Sequence, residues 1–173
     1  WLTNLEFGSI DVDLDADGLA DTLAASFDPY QNGYGTAATA WLNDGERGYI
    51  EDADWALPAG VYLYELGDHH STDTGVRLAD VNGDGRVDVM RAKAGATRTT
   101  WLNDGDADEA TPTPWVANAA WRIPAGLEFV AANGTDAGVR LVDLDGDGMT
   151  DLVRSAHGAN EFHRNRGSIP DLL

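Results

Sequence analysis

Apolar and polar residues alternate along this chain in short runs. Two pairs of runs carry the pattern most clearly: GVRLAD (Gly75–Asp80) with VDVMRA (Val87–Ala92), and GVRLVD (Gly138–Asp143) with TDLVRS (Thr150–Ser155). Each run is short, contains β-branched residues and is bounded by glycine, which predicts strand, loop, strand. Alternation returns in VYLYEL (Val61–Leu66) and LEFVAA (Leu127–Ala132), and WLN runs at Trp41–Asn43 and Trp101–Asn103 predict further strands. No segment keeps the helical period, so the pattern predicts an all-β chain of hairpins.

The bends of these hairpins share one composition. DLDADGLAD (Asp13–Asp21), DVNGDGRVD (Asp80–Asp88) and DLDGDGMTD (Asp143–Asp151) each place Asp or Asn at loop positions 1, 3 and 5, Gly at 6 and Asp at 9. So many carboxylates brought into contact repel one another unless a cation sits between them. Oxygen-only donors on a flexible loop favour calcium over magnesium, zinc or copper. The predicted ligands are Asp13, Asp15, Asp17 and Asp21; Asp80, Asn82, Asp84 and Asp88; and Asp143, Asp145, Asp147 and Asp151. At position 7, Leu19, Arg86 and Met149 are expected to add backbone carbonyls. Position 12 holds Ala24, Arg91 and Arg154, which excludes an EF-hand, since that loop needs an acid there.

The similarity extends beyond the loops. WLNDG occurs at Trp41–Gly45 and Trp101–Gly105, with a degenerate FHRNRG at Phe162–Gly167, and WALPAG (Trp55–Gly60) matches WRIPAG (Trp121–Gly126). The expected organisation is an N-terminal segment at 1–7 available for strand exchange, repeats at 8–74 and 75–137, and a partial repeat at 138–173. Strands before the loop, after it, through WLN and after PAG make four per unit, as in a propeller blade. Insertions fall in turn-rich stretches, Asp28–Gly35 and Asp106–Pro114. The expected fold is a tandem of four-stranded antiparallel, blade-like units, too few to close a propeller in one chain.

The loops and their flanks resemble the FG-GAP and VCBS-type repeats of integrin-like β-propellers, and WLNDG resembles the versions in large bacterial surface and toxin-associated proteins. Phe7-Gly8 stands near where that family carries its FG dipeptide. The resemblance covers about residues 7–167 and implies calcium bound within each unit by the acids named above. Two full units and part of a third depart from the family's closed ring. Either the chain is a segment of something longer or neighbouring molecules complete one another head to tail, which yields rings or fibres.

Charge narrows the partners. The formal net charge is −19, and three calcium ions, six positive charges, would bring it to −13. Such a surface excludes nucleic acid and anionic membranes. Cysteine is absent, so metal is the expected staple. No stretch is apolar enough to span a bilayer. A start at Trp1 rather than Met is expected of a processed chain, and calcium loops of extracellular affinity point to a secreted or surface location.

Recurrent tryptophans, Trp41 with Trp101 and Trp55 with Trp121, are expected in the core. Trp1 and Trp115 lie outside the repeat frame and are candidates for a sugar or partner contact. His69-His70 reads as a polar loop, and His157 and His163 lack a third metal ligand. No catalytic constellation appears, so the chain is expected not to be an enzyme. Asn133-Gly134-Thr135 is a formal glycosylation sequon, and TPTP (Thr111–Pro114) could carry O-linked sugar. These features support three readings: a calcium-stabilised extracellular structural or adhesive module, a self-assembling fibre subunit, and a carbohydrate-binding module.

Overall fold

The computed structural model describes residues 9–28, 36–66, 71–105, 113–156 and 158–167. All regular elements there are strands except two single 3-10 turns. The chain divides into two compact units between Thr74 and Gly75, with Asp104–Pro114 grouped with the first.

In the first unit, β1 (Ser9–Val12), β2 (Asp21–Phe27), β3 (Thr36–Asn43) and β4 (Tyr49–Asp52) form an antiparallel meander. β5 (Tyr64–Leu66) runs parallel to the far end of β2 and pairs antiparallel with β6 (Ser71–Asp73). In the second unit, β7 (Val76–Ala79), β8 (Asp88–Arg91), β9 (Thr99–Asn103) and β10 (Trp115–Ala117) repeat the meander. A third sheet is built from β11 (Val139–Val142), β12 (Asp151–Ala156) and β13 (Ala159–His163). The three loop hairpins close in the same register, Val12 opposite Asp21, Ala79 opposite Asp88 and Val142 opposite Asp151.

The fourth strand is not where the sequence pattern placed it. It is the edge strand that follows WLNDG, β4 at once and β10 after the Asp106–Pro114 insertion, and it precedes the PAG segment. Beyond PAG the first repeat is strand at Tyr64–Leu66, and the second narrows to single bridges of Val130 with Lys93 and Asp136. The reason is local. Pro58 and Pro124 open tight turns in which Val61 and Leu127 donate back to the proline carbonyl. Gly60 and Gly126 sit left-handed within those turns. The chain then passes under β2 or β8, with Leu63 N–H donating to Ala25 O and Phe129 N–H to Ala92 O, both at 2.9 Å. Alternation in these stretches thus reports burial of Val61, Leu63, Leu127 and Phe129 more than sheet pairing.

Within the second unit, Val81, Met90 and Ala92 of the β7–β10 sheet pack with Val139 and Leu152 of the β11–β13 sheet, and Ile123, Leu127 and Phe129 fill the same core. Each large side chain buried there contributes about 1.5–3 kcal/mol. Hydrogen bonds tie these sheets at two points as well: Thr150 N–H donates to Asp80 O at 3.0 Å, and the Asn165 amide donates to Val81 O at 2.6 Å. The outer side of the third sheet differs. Leu144 and Phe162 are 47% and 65% exposed, whereas their repeat equivalents Leu14 and Val81, and Ala40 and Thr100, are buried.

Trp55 is buried, and Trp101 is half-buried beneath the Arg91 guanidinium, 5.5 Å from its ring centroid. Trp115 is 5% exposed, which removes it as a ready sugar or partner contact: as the first residue of β10 it turns inward. Trp1, Phe7-Gly8, His69-His70, His157 and most of both insertions lie outside the described residues.

Candidate metal centres

Each acidic loop is fastened at its ninth residue. Asp21, Asp88 and Asp151 are fully buried, and each directs its two oxygens to two backbone N–H groups. One comes from loop position 2: Leu14 at 2.7 Å, Val81 at 2.9 Å and Leu144 at 2.9 Å. The other comes from an asparagine at or just after the end of the third strand: Asn43 at 2.8 Å, Asn103 at 2.9 Å and Asn165 at 2.6 Å. The asparagine of WLN is therefore part of the loop's anchorage, and Asn165 of the degenerate NRG holds the same place. Sequence reasoning marked the motif without assigning it this role; its signal was the recurrence of Asn before a glycine-containing turn.

The exposed part of each loop winds around its first acid. Asp13 accepts from Gly18 N–H (3.0 Å), Asp80 from Gly83 and Gly85 (2.7 and 2.8 Å), and Asp143 from Gly146 and Gly148 (2.7 and 3.0 Å). Asp17, Asp84 and Asp147 accept the N–H of Leu19, Arg86 and Met149 at 2.7, 2.9 and 2.9 Å. These bonds fold each loop back on its own acidic side chains.

Two centres converge. Carboxylate oxygens of Asp13, Asp15 and Asp21 lie within 4.8 Å of one another, as do those of Asp143, Asp145 and Asp151. Either trio could hold a metal ion. Asp13 Oδ1 is buried with no hydrogen-bond donor among the described residues, so it has an acceptor site that a cation could fill. Burial, together with the charges of Asp21, Asp17 and Asp13, raises the Asp15 pKa above the ordinary carboxylate value. In the second loop three acids do not meet in this way: Asn82 occupies position 3 and its amide donates to Asp84 at 2.9 Å. Burial foremost pushes the Asp88 carboxyl up to about 6 there, with the charges of Asp84 and Asp80 adding to it. In the third loop Arg164 already offsets part of the charge through Nε to Asp145 at 3.1 Å, and the hydrogen bond from Gly148 N–H leads in holding Asp143 below its ordinary value. Asp17, Asp84 and Asp147 are exposed and stand outside the two trios.

Asn133 is exposed, and its side-chain oxygen accepts from Thr135 N–H and hydroxyl. His163 pairs with Glu161 at 3.3 Å and joins none of the acidic groups that could hold a metal among the described residues. No helix among the described residues is long and apolar enough to cross a membrane.

No family model matches the chain, and no curated protein matches it. Among solved structures it is similar to an Agrocybe aegerita lectin, described for its specific recognition of non-reducing terminal N-acetylglucosamine. The identity is 19% and the TM-score 0.61, over 95% of this chain and 37% of that one. The likeness is one of all-β fold, and the chain spans 37% of the lectin chain's length.

Proposed function

We propose that this chain is a calcium-stiffened β-repeat of an extracellular protein that acts as a non-catalytic adhesive module and recognises carbohydrate. The observation that carries the metal part is the pair of buried-edged acidic trios with the orphaned Asp13 Oδ1. Calcium supplies there the positive charge that three converging carboxylates lack, and the carbonyls of Leu19 and Met149, like that of Arg86 in the second loop, complete the oxygen shell. The third ion belongs to the second loop through Asp80, Asn82, Asp84 and Asp88. In this reading the repeat is of the FG-GAP/VCBS type. Metal binding is coupled to folding, because the same loops close the hairpins.

The carbohydrate part is supported by the fold shared with a lectin. A glycan array probed in millimolar calcium tests it, with chelator as the control; calcium-dependent capture of a defined set of glycans is expected, and an array without a reproducible hit contradicts it. The acidic surface makes nucleic acid a poor partner.

Exposure of Leu144 and Phe162 favours a second reading, in which another β unit covers the third sheet and the module stacks on itself or on a neighbouring chain. Sedimentation of the wild type against Phe162→Glu decides this: association lost in the variant supports stacking, and a wild type that stays monomeric at all concentrations opposes it.

A further inference from the structure

The second repeat carries a hollow of about 230 Å³ lined by Arg98, Thr99, Thr100, Asn118 and Arg122, together with two alanines. It lies beside β9, β10 and the 3-10 turn Ala119–Trp121. Two bonds fix its walls: Thr100 hydroxyl donates to Trp121 O at 2.8 Å, and Asn118 N–H donates to Thr100 O at 2.9 Å. Arg98 is held by Glu128 at 3.2 Å. Arg122 is exposed and has no ion-pair partner among the described residues.

Comparison of the repeats shows that the scaffold does not require these residues. Asp52 and Asn118 each cap the 3-10 turn, accepting the N–H of Asp54 and Ala120, and so fix the alignment. In that alignment the first repeat has Glu51, Asp52, Asp54 and Ala56 where the second has Ala117, Asn118, Ala120 and Arg122, and the match of Trp41 with Trp101 sets Ala38 against Arg98. Three acids give way to neutral residues and two alanines to arginines, while Glu128, where the first repeat has Tyr62, returns one negative charge. The fold of the turn is kept, its sign is reversed, and this happens in a chain of net charge −19 with only eleven basic residues.

The geometry points to a binding site for an acidic sugar, one carrying a carboxylate, in this hollow; this rests on the carbohydrate reading above. Arg122, with its planar fork of donors, receives the carboxylate, since a guanidinium matches that group with two parallel hydrogen bonds. Arg98, already oriented by Glu128, adds its positive field to the same hollow. The Asn118 oxygen is committed to the turn, which leaves its amide hydrogens, and the Thr99 hydroxyl, for sugar hydroxyls. The hollow is smaller than the roughly 300–1,000 Å³ of pockets for drug-sized ligands, which suits a single terminal residue. Glu128 limits the strength of the site, because it already screens Arg98.

The test is calorimetry of the calcium-loaded chain with methyl β-glucuronide and methyl β-glucoside, which differ only in the carboxylate. Glucuronide is expected to bind more tightly, to weaken with added salt, and to lose about tenfold in affinity in both Arg122→Ala and Arg122→Gln. Arg122 is exposed, so these variants fold. Equal affinity for the two glycosides, or indifference to both substitutions, overturns the site while leaving the carbohydrate reading intact if a neutral glycan still binds elsewhere. Failure of every glycan, neutral or acidic, overturns both. Preference for methyl glucoside 6-sulfate over the glucuronide overturns the carboxylate assignment.

Discussion

The buried carboxylate of Asp88 accepts the backbone N–H of Asn103 at 2.9 Å, joining the end of a hairpin bend to the end of the next strand. Its other oxygen takes Val81 N–H at 2.9 Å. Asp88→Ala leaves two buried donors without an acceptor, at about 1–3 kcal/mol each. Urea unfolding of this variant in chelator is expected to show a loss of about 2–6 kcal/mol on the same basis, large against the roughly 5–15 kcal/mol that a domain has. Wild-type stability in chelator would reduce Asp88 to a metal ligand and nothing more.

The same residue sets a pH response in the metal-free protein. Its folded pKa, about 6, lies above the ordinary carboxylate value of 3.8. The folded chain therefore binds this proton more tightly than the unfolded one, and its stability rises as pH falls between those values. Asp136, lowered to about 2 chiefly by its hydrogen bond from Arg140, works in the opposite sense but loses its contribution only below that window. Thermal midpoints in chelator should therefore climb from about pH 7 to about pH 5, and Asp88→Asn should flatten the climb. With calcium bound, protons compete for the same oxygens and the trend should reverse. A metal-free midpoint that falls steadily across this range contradicts the assignment.

The three loops are not equivalent. The second lacks one acid at Asn82, whose amide bonds to Asp84, and the third shares Asp145 with Arg164. Calcium affinity should therefore be highest in the first loop. Asn82→Asp is expected to tighten the weakest phase of a calorimetric titration, and Arg164→Gln to tighten the third loop. A titration that neither change alters removes these loops as the binding sites.

Glycine before the GVRL strands is a steric requirement. At Gly138, with φ +79°, an added Cβ would stand 2.5 Å from Ser155 O, and at Gly75, with φ +78°, 2.6 Å from Ala92 O. Gly126 is also left-handed, at φ +88°, yet has open space around it. Gly126→Ala should cost about 1–2 kcal/mol, the penalty of the backbone conformation alone. Gly138→Ala adds a clash with backbone and should cost clearly more by urea unfolding. Equal losses would show that the strand can yield to the clash.

The hairpins were legible in the sequence because alternation and Asp-Gly bends coincide: Val76–Ala79 and Asp88–Arg91, or Val139–Val142 and Asp151–Ala156, carry both signals. The edge strands were not. Tyr49–Asp52 and Trp115–Ala117 are short and largely exposed, so no periodicity marks them, whereas Leu127–Ala132 alternates because it is buried under β8. At the loops, spacing revealed which acids share a bend, but it could not reveal that Asp21, Asp88 and Asp151 are the buried ones. That depends on Asn43, Asn103 and Asn165, which reach them from 22, 15 and 14 residues further along the chain. The charge reversal between the repeats was present in the sequence too, but it acquires meaning only when Arg98 and Arg122 prove to line one hollow.

Thermal unfolding of the chelator-stripped chain, before and after millimolar calcium, most directly tests the claim that the ion completes these loops. The account predicts a marked rise of the midpoint with calcium, and a loss of most of that rise when Asp13 and Asp143 are both changed to Ala. A midpoint unmoved by calcium, with the double variant indistinguishable from wild type in its response, would contradict it.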